Sequence, residues 1–226
     1  MKYFLLTLAI YASFGIVGLN KTASAQESDQ KALEILEKLA NKTDAMQGFY
    51  TAYTLLVEDL ADEKNNLQYS GEIWYLGDKY KMIMMGQVLY SDGTTNWVYQ
   101  EDIEEVTVTS FSEEEQSENL IDPYFLIENY AKDYTCRFVA DKFENNRPLV
   151  EIHLFPNDIE ESTYSRIKLK IDKSQNELFE FTLVGNEGIN YTIQLNKFDG
   201  STPVSADIVT FKESDYPDAE IIDMRD

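Results

Sequence analysis

Apolar and polar positions alternate along most of this chain. Phe49, Thr51, Tyr53, Leu55 and Val57 share one side of a stretch, and Leu67, Tyr69, Gly71, Ile73 and Tyr75 share a side of the next, with Gln68, Ser70 and Glu72 opposite. A period of two is the mark of a strand buried on one face. The pattern continues through Lys79 to Met85, Gln87 to Tyr90, Thr95 to Tyr99 and Glu105 to Ser110. It resumes with Cys136, Phe138 and Ala140, then Val150, Ile152 and Leu154, then Ile167, Leu169 and Ile171. Phe179, Phe181 and Leu183 lead through a glycine turn to Ile189, Tyr191, Ile193 and Leu195, and a last strand is expected over 207–211. Ser91-Asp92-Gly93 reverses the chain between two of these stretches, since Gly reaches positive φ without steric cost and Asp tolerates unusual backbone angles. About eleven or twelve antiparallel strands follow, as one strongly curved sheet or incomplete barrel.

Two segments break the period. From Asp29 to about Ala45, the spacing of Ala32, Leu33, Ile35, Leu36, Leu39 and Ala40 predicts an amphipathic helix with Ser28 as its N-cap. Further on, Asp122-Pro123 opens a short helix carrying Phe125, Leu126 and Tyr130. The apolar concave face of such a sheet needs covering, and these two helices are the candidates to cover it.

Composition narrows the setting. Met1-Lys2, the apolar run from Tyr3 to Leu19 and the small residues Ala23-Ser24-Ala25 form a secretory signal peptide, with cleavage expected after Ala25. About 200 residues remain (26–226), the size of one domain. No Cys follows the apolar run, so the exported chain is expected to carry no lipid of its own. The chain has 19 Lys and Arg against 41 Asp and Glu, a net charge of −22. Such a surface repels nucleic acid and anionic membranes, while 43% hydrophobic residues suffice for a real core. Acidic runs such as Glu113-Glu114-Glu115 read as solvated loops, because no calcium-loop spacing surrounds them. Cys136 is the only cysteine, so no internal disulfide forms and a buried, inert thiol is expected.

Catalytic chemistry finds little support. His153 is the only histidine and reads as a partly exposed strand residue. There is no nucleophile elbow, no phosphate-cradling glycine loop and no Cys/His metal spacing. No enzyme activity, metal or cofactor is expected, although carboxylate pairs among so many acidic residues leave a carboxylate hydrolase open.

SGEIWY (70–75), VLYSDGTTNWVYQEDIEEVTV (88–108) and DPYFLI (122–127) together resemble the LolA family of periplasmic outer-membrane lipoprotein carriers. Gly71, Trp74, Asp92, Gly93, Trp97, Tyr99 and Pro123 match the family pattern, as does the helix ahead of the first strand. One departure concerns the segment after Trp74, where family members carry an arginine that helps hold the lid. Here it reads Tyr75-Leu76-Gly77-Asp78-Lys79, without one. The chain is similar to a divergent, Bacteroidota-like branch. The resemblance implies a periplasmic, monomeric protein with a helical lid over a hydrophobic cavity. Its partners would be acylated lipoproteins, the inner-membrane ABC transporter that releases them, and an outer-membrane receptor.

An acyl chain costs about 0.8 kcal/mol per methylene in water, so a tail of about sixteen carbons needs a shelter lined by adaptable apolar groups. Methionine suits such a lining, and Met82, Met84 and Met85 lie close together. The expected lining is Phe49, Tyr53, Leu55, Tyr69, Ile73, Met82, Met84, Phe138, Ile152, Leu154, Ile167, Leu169, Phe179, Phe181, Tyr191 and Ile193, with Trp97 as a weaker member and Trp74 at the rim or in a structural role. The lid would use Leu33, Leu36, Leu39, Phe125 and Leu126. Three other readings compete: a periplasmic lipid or lipoprotein sensor of the same type, a secreted carboxylate hydrolase, and a β-sandwich with a filled core.

Overall fold

The computed structural model describes residues 17–111, 127, 130–160 and 162–225, with residues 17–28 as backbone. The apolar run expected to form a signal peptide, up to Ile16, the acidic stretch 112–119, the Asp122-Pro123 helix start and the lid candidates Phe125 and Leu126 lie outside the described residues.

Twelve strands form one sheet: β1 (Gly48–Asp59), β2 (Leu67–Leu76), β3 (Lys79–Met84), β4 (Gln87–Ser91), β5 (Thr95–Gln100), β6 (Glu105–Ser110), β7 (Tyr134–Glu144), β8 (Arg147–Pro156), β9 (Tyr164–Asp172), β10 (Glu177–Gly185), β11 (Ile189–Asp199) and β12 (Glu220–Asp223). Their order is β12-β6-β5-β4-β3-β2-β1-β11-β10-β9-β8-β7. Two meanders, β1–β6 and β7–β11, therefore join where β1 pairs with β11. The sheet is curved and does not close, because β12 and β7 are separate edges.

The tail departs from expectation. Residues 206–209 form a turn in which Ile208 donates to Ser205 O, so 207–211 is not a strand. The last strand is β12, which runs parallel to β6 and is fixed at its ends by Glu220 N to Glu104 O and Met224 N to Val108 O. Val209 is the reason an alternating reading failed there: it is buried, but as an anchor of irregular chain rather than as a strand residue.

Helix α1 (Val17–Asp44) starts well before the expected cap at Ser28. No Pro or Gly lies between Leu19 and Asp44, so nothing in that span interrupts it. Ala32, Leu36 and Leu39 are buried at the i, i+4, i+7 spacing of one face, and Thr43 continues it. Leu33 sits to the side and is 39% exposed, outside the buried face of the helix. A second helical stretch is present at Ile127 and over 130–133, with Ile127 and Tyr130 buried in the main core.

Turn chemistry is as the residues dictate. Asp92 Oδ1 accepts hydrogen bonds from Thr94 N, Thr94 Oγ1 and Thr95 N, and Gly93 takes φ 81°. Among the described residues no helix is long and apolar enough to cross a membrane.

Candidate functional site

The inner face of the sheet, the one carrying α1, is a continuous apolar layer. Register sets its members: Tyr53 lies beside Gly71, Leu55 beside Tyr69 and Ile193, Ile73 beside Met82, and Met82 beside Leu89. On the other meander Phe138 lies beside Ile152, Ile152 beside Leu169, and Leu169 beside Phe181. Phe49, Tyr53, Leu55, Ile73, Met82, Ile152, Leu154, Ile167, Leu169, Phe181 and Ile193 are all buried in one cluster with Ala32, Leu36 and Leu39 of α1. Tyr69, Met84 and Phe138 pack against that cluster while partly open. The structure thus brings together most of the side chains that alternation assigned to one lining.

Two expected members stand elsewhere, and a third lies at the margin of the layer. Trp97 is on the opposite face, because Leu89 pairs with Val98 and so sends Trp97, Tyr90 and Tyr99 outward. There Trp97 stacks on Phe211 with centroids 5.5 Å apart, and Tyr90 OH shares a hydrogen bond with Tyr216 OH. The aromatic flanks of the Ser-Asp-Gly turn are therefore a seat for the C-terminal segment. Phe179 is displaced by a register shift between Leu178 and Glu180, which puts Leu178 in the inner cluster and leaves Phe179 near the Arg147 guanidinium. Tyr191 keeps the inner phase, paired with Val57 and Leu183, but lies at the open end and is 40% exposed. Trp74 is outside, in ring contact with Tyr50, as its phase with Ser70 and Glu72 implied. Met85 is in the β3–β4 turn at φ 51° and does not line the face.

Several inner residues were not in the expected lining. Tyr80 alternates with Met82 and Val150 with Ile152, so the same period would have found them. Tyr134 and Tyr164 are buried and share a hydrogen bond of 2.6 Å between their hydroxyls. Burial, then that bond, pushes the Tyr134 pKa up, so the phenol stays neutral.

Polar atoms within the layer are turned toward protein. Tyr53 OH donates to Ile83 O, Thr51 Oγ1 to Lys197 O, and Thr43 Oγ1 to Leu39 O. Cys136 is buried beside Leu154, and burial pushes its thiol up to about 11. The surface is therefore greasy and chemically inert. His153 faces the other side, where it contacts Glu151 at 2.6 Å, and burial lowers its pKa despite that carboxylate. Among the described residues no three His, Cys, Asp or Glu side chains are grouped to hold a metal ion.

Helix α1 is held at its flanks by pairs that do not need the missing arginine. Lys31 Nζ reaches Asp141 and covers the Phe138 ring at 3.5 Å. Lys42 bonds Glu177 and the Gln175 carbonyl, and Asn176 Nδ2 donates to Lys38 O. Partly exposed ion pairs of this kind contribute about 0–1 kcal/mol each. Apolar contact therefore dominates the seating of the helix.

A sequence model of the family described as outer membrane lipoprotein carrier protein LolA matches residues 85–212, more than half of the chain. The chain belongs to the LolA family. Asp92, Gly93, Trp97, Tyr99 and Pro123 lie inside the match, whereas Gly71 and Trp74 precede it. The LolA-family chain also resembles solved structures. An uncharacterized conserved protein from Thermus thermophilus aligns with a TM-score of 0.57 and 9% identity, over 85% of this chain and 99% of that one. Lipoprotein LppX of Mycobacterium tuberculosis aligns with a TM-score of 0.50 and 11% identity, over 79% and 100%. A LolA superfamily protein from Nitrosomonas europaea aligns at 0.44 and 12% identity, over 81% and 98%. At these identities the likeness is one of fold. No curated protein matches the chain.

Proposed function

We infer that this protein is an exported carrier that shelters the acyl chains of lipoproteins between its inner sheet face and α1. It would act in the periplasm after removal of residues 1–25, taking lipoproteins from an inner-membrane ABC transporter and passing them to the outer membrane or a receptor there. The observation that carries this reading is the pairing of a very large apolar layer with a small cover. Strands β1–β3 and β7–β11 all contribute to the layer, while α1 packs on it with Ala32, Leu36 and Leu39, and Ile127 and Tyr130 join the same core. Lifting the helix exposes those side chains and the sheet beneath, and an incoming hydrocarbon tail replaces the lost contacts. The exchange is close to neutral per unit of apolar area, which lets a carrier both accept and release its cargo. The inert lining supports the same conclusion, since strong directional bonds would oppose release.

Saturable binding of a fluorescent fatty acid by the protein is the first test. A photoreactive palmitate should then label peptides containing Leu55, Ile152 and Ile167, and Ile152→Asp should abolish binding while the β-rich circular dichroism spectrum persists. Labelling confined to the outer face, or no saturable binding, would sink the reading. Depletion of the protein in its own bacterium should leave lipoproteins at the inner membrane. Unchanged sorting with intact lipid binding would favour a periplasmic lipid sensor.

A further inference from the structure

The two rims of the sheet differ. Antiparallel alternation places the β1–β2, β3–β4, β5–β6, β8–β9 and β10–β11 connections at one end, and Leu60 N donating to Gly188 O ties two of them together. Four of these five carry an exposed large hydrophobic side chain in the turn. Leu60 is 65% exposed, Met85 48%, Ile103 56% and Ile159 71%, and Leu67 and Tyr191 stand exposed at the adjoining strand starts. Among the described residues, the turns at the opposite end are Gly77-Asp78, Asp92-Gly93-Thr94, Asn145-Asn146 and Lys173-Ser174-Gln175-Asn176. None of those is apolar, and the exposed Phe143 and Met224 at that end stand on edge strand β7 and just past edge strand β12 rather than in a turn. Tight turns form readily from polar residues alone, as the second rim demonstrates, so folding does not require the apolar tips.

The tips stand among carboxylates. Ile103 lies between Glu101, Asp102 and Glu104, all exposed, Ile159 lies between Asp158 and Glu160, and Leu60 is followed by Asp62 and Glu63, with Lys64 the basic residue of that loop. We propose that this rim is a docking surface for a protein partner whose complementary face combines apolar side chains with lysine or arginine. Apolar anchors ringed by charge are the anatomy of a specific protein interface. The carboxylates select against lipid headgroups, because the phosphates of an anionic leaflet repel them. The tips crown the strand ends, and Tyr191 joins the rim to the inner face, so a docked partner would stand at the end of the apolar layer.

The probe is a synthetic amphipathic leucine/lysine peptide, titrated by fluorescence anisotropy against the protein and against a Leu60→Ser/Ile103→Ser/Ile159→Ser variant. All three positions are exposed, so the variant should melt with the parent. Its affinity should fall about thirty-fold, the equivalent of roughly 2 kcal/mol. A serine/lysine peptide should bind the parent weakly, and binding of the leucine/lysine peptide should weaken as salt is raised. Fluorescent fatty-acid binding should be the same in parent and variant, which separates this surface from the sheltering face. Equal peptide affinity of parent and variant, or equal binding of the serine/lysine peptide, would reduce the effect to general acidity and overturn the proposal. Binding to phosphatidylcholine vesicles that is lost in the triple variant would overturn it in favour of a membrane contact.

Discussion

Gly71→Ala should destabilise the protein by about 2–4 kcal/mol, and the reason is the Tyr53 ring and the Ile83 carbonyl packed against it. A Cβ at position 71 would overlap the ring and hydroxyl of Tyr53 and come within 2.5 Å of Ile83 O. Gly71 is not at positive φ, so backbone strain plays no part. Tyr53 is 1% exposed and cannot swing into solvent. To accommodate the methyl group the ring must shift, which costs about 1–3 kcal/mol in overpacking. It also breaks the Tyr53 OH to Ile83 O bond of 3.1 Å, a further loss of about 1 kcal/mol. Urea unfolding followed by circular dichroism measures the sum, and the melting temperature should drop by about 2–4 °C per kcal/mol. A companion variant, Tyr53→Leu, removes the obstructing ring and leaves a void of its own. The double variant should therefore cost less than the sum of the singles by at least about 1 kcal/mol. Additivity of the two, or a Gly71→Ala protein within about 0.5 kcal/mol of the parent, would refute the steric account.

Trp97→Ala should loosen the C-terminal segment, since it removes the stack on Phe211, and limited proteolysis should cut after Lys212 faster while fatty-acid binding stays within about twofold; lost binding would return Trp97 to the sheltering face. Asp172 is buried, which alone would raise its pKa, but hydrogen bonds from Ser174, Gln175 and Arg147 hold it below the usual carboxylate range. That stabilisation is fully present above the unfolded carboxyl pKa of about 3.9 and is lost as pH falls through the depressed folded value. Asp172→Asn should therefore be less stable than the parent at pH 7, with a gap that narrows as the pH falls below the ordinary carboxylate range; a gap independent of pH would count against the argument. Cys136, buried and pushed up to about 11, should resist a thiol-specific disulfide reagent at pH 8 until urea is added, and rapid native labelling would contradict its burial.

Much of this architecture was legible because the side-chain period of a strand is two. Tyr53, Leu55, Ile152, Leu154, Ile167 and Leu169 could be sorted to one face by counting alone, and the register bears this out. Counting failed where geometry slips by one residue. The irregularity between Leu178 and Glu180 exchanged Leu178 for Phe179, and no local residue type announces it. Alternation also sorts residues within a strand without naming which face is inside. Trp97 and Tyr99 share a face by the same count, yet their partners Phe211 and Tyr216 lie more than a hundred residues downstream, beyond the reach of a local pattern. Leu33 shows the same limit for helices, where a stripe wider than the contact leaves one of its members in solvent.

The junction between β1 and β11 governs how the molecule comes into being. Each strand from β2 to β6 can zip onto the one made just before it, and so can each from β8 to β11, but Tyr50 must wait for Asp199. Closing so long a span is slow, and until it happens neither half has a sealed interior. A polypeptide emerging N-terminus first from a ribosome thus stays pliable for nearly its whole synthesis. A chain cut short before residue 189 would bare three further sheet margins, at β1, β10 and β6, inviting aggregation rather than yielding a smaller working protein.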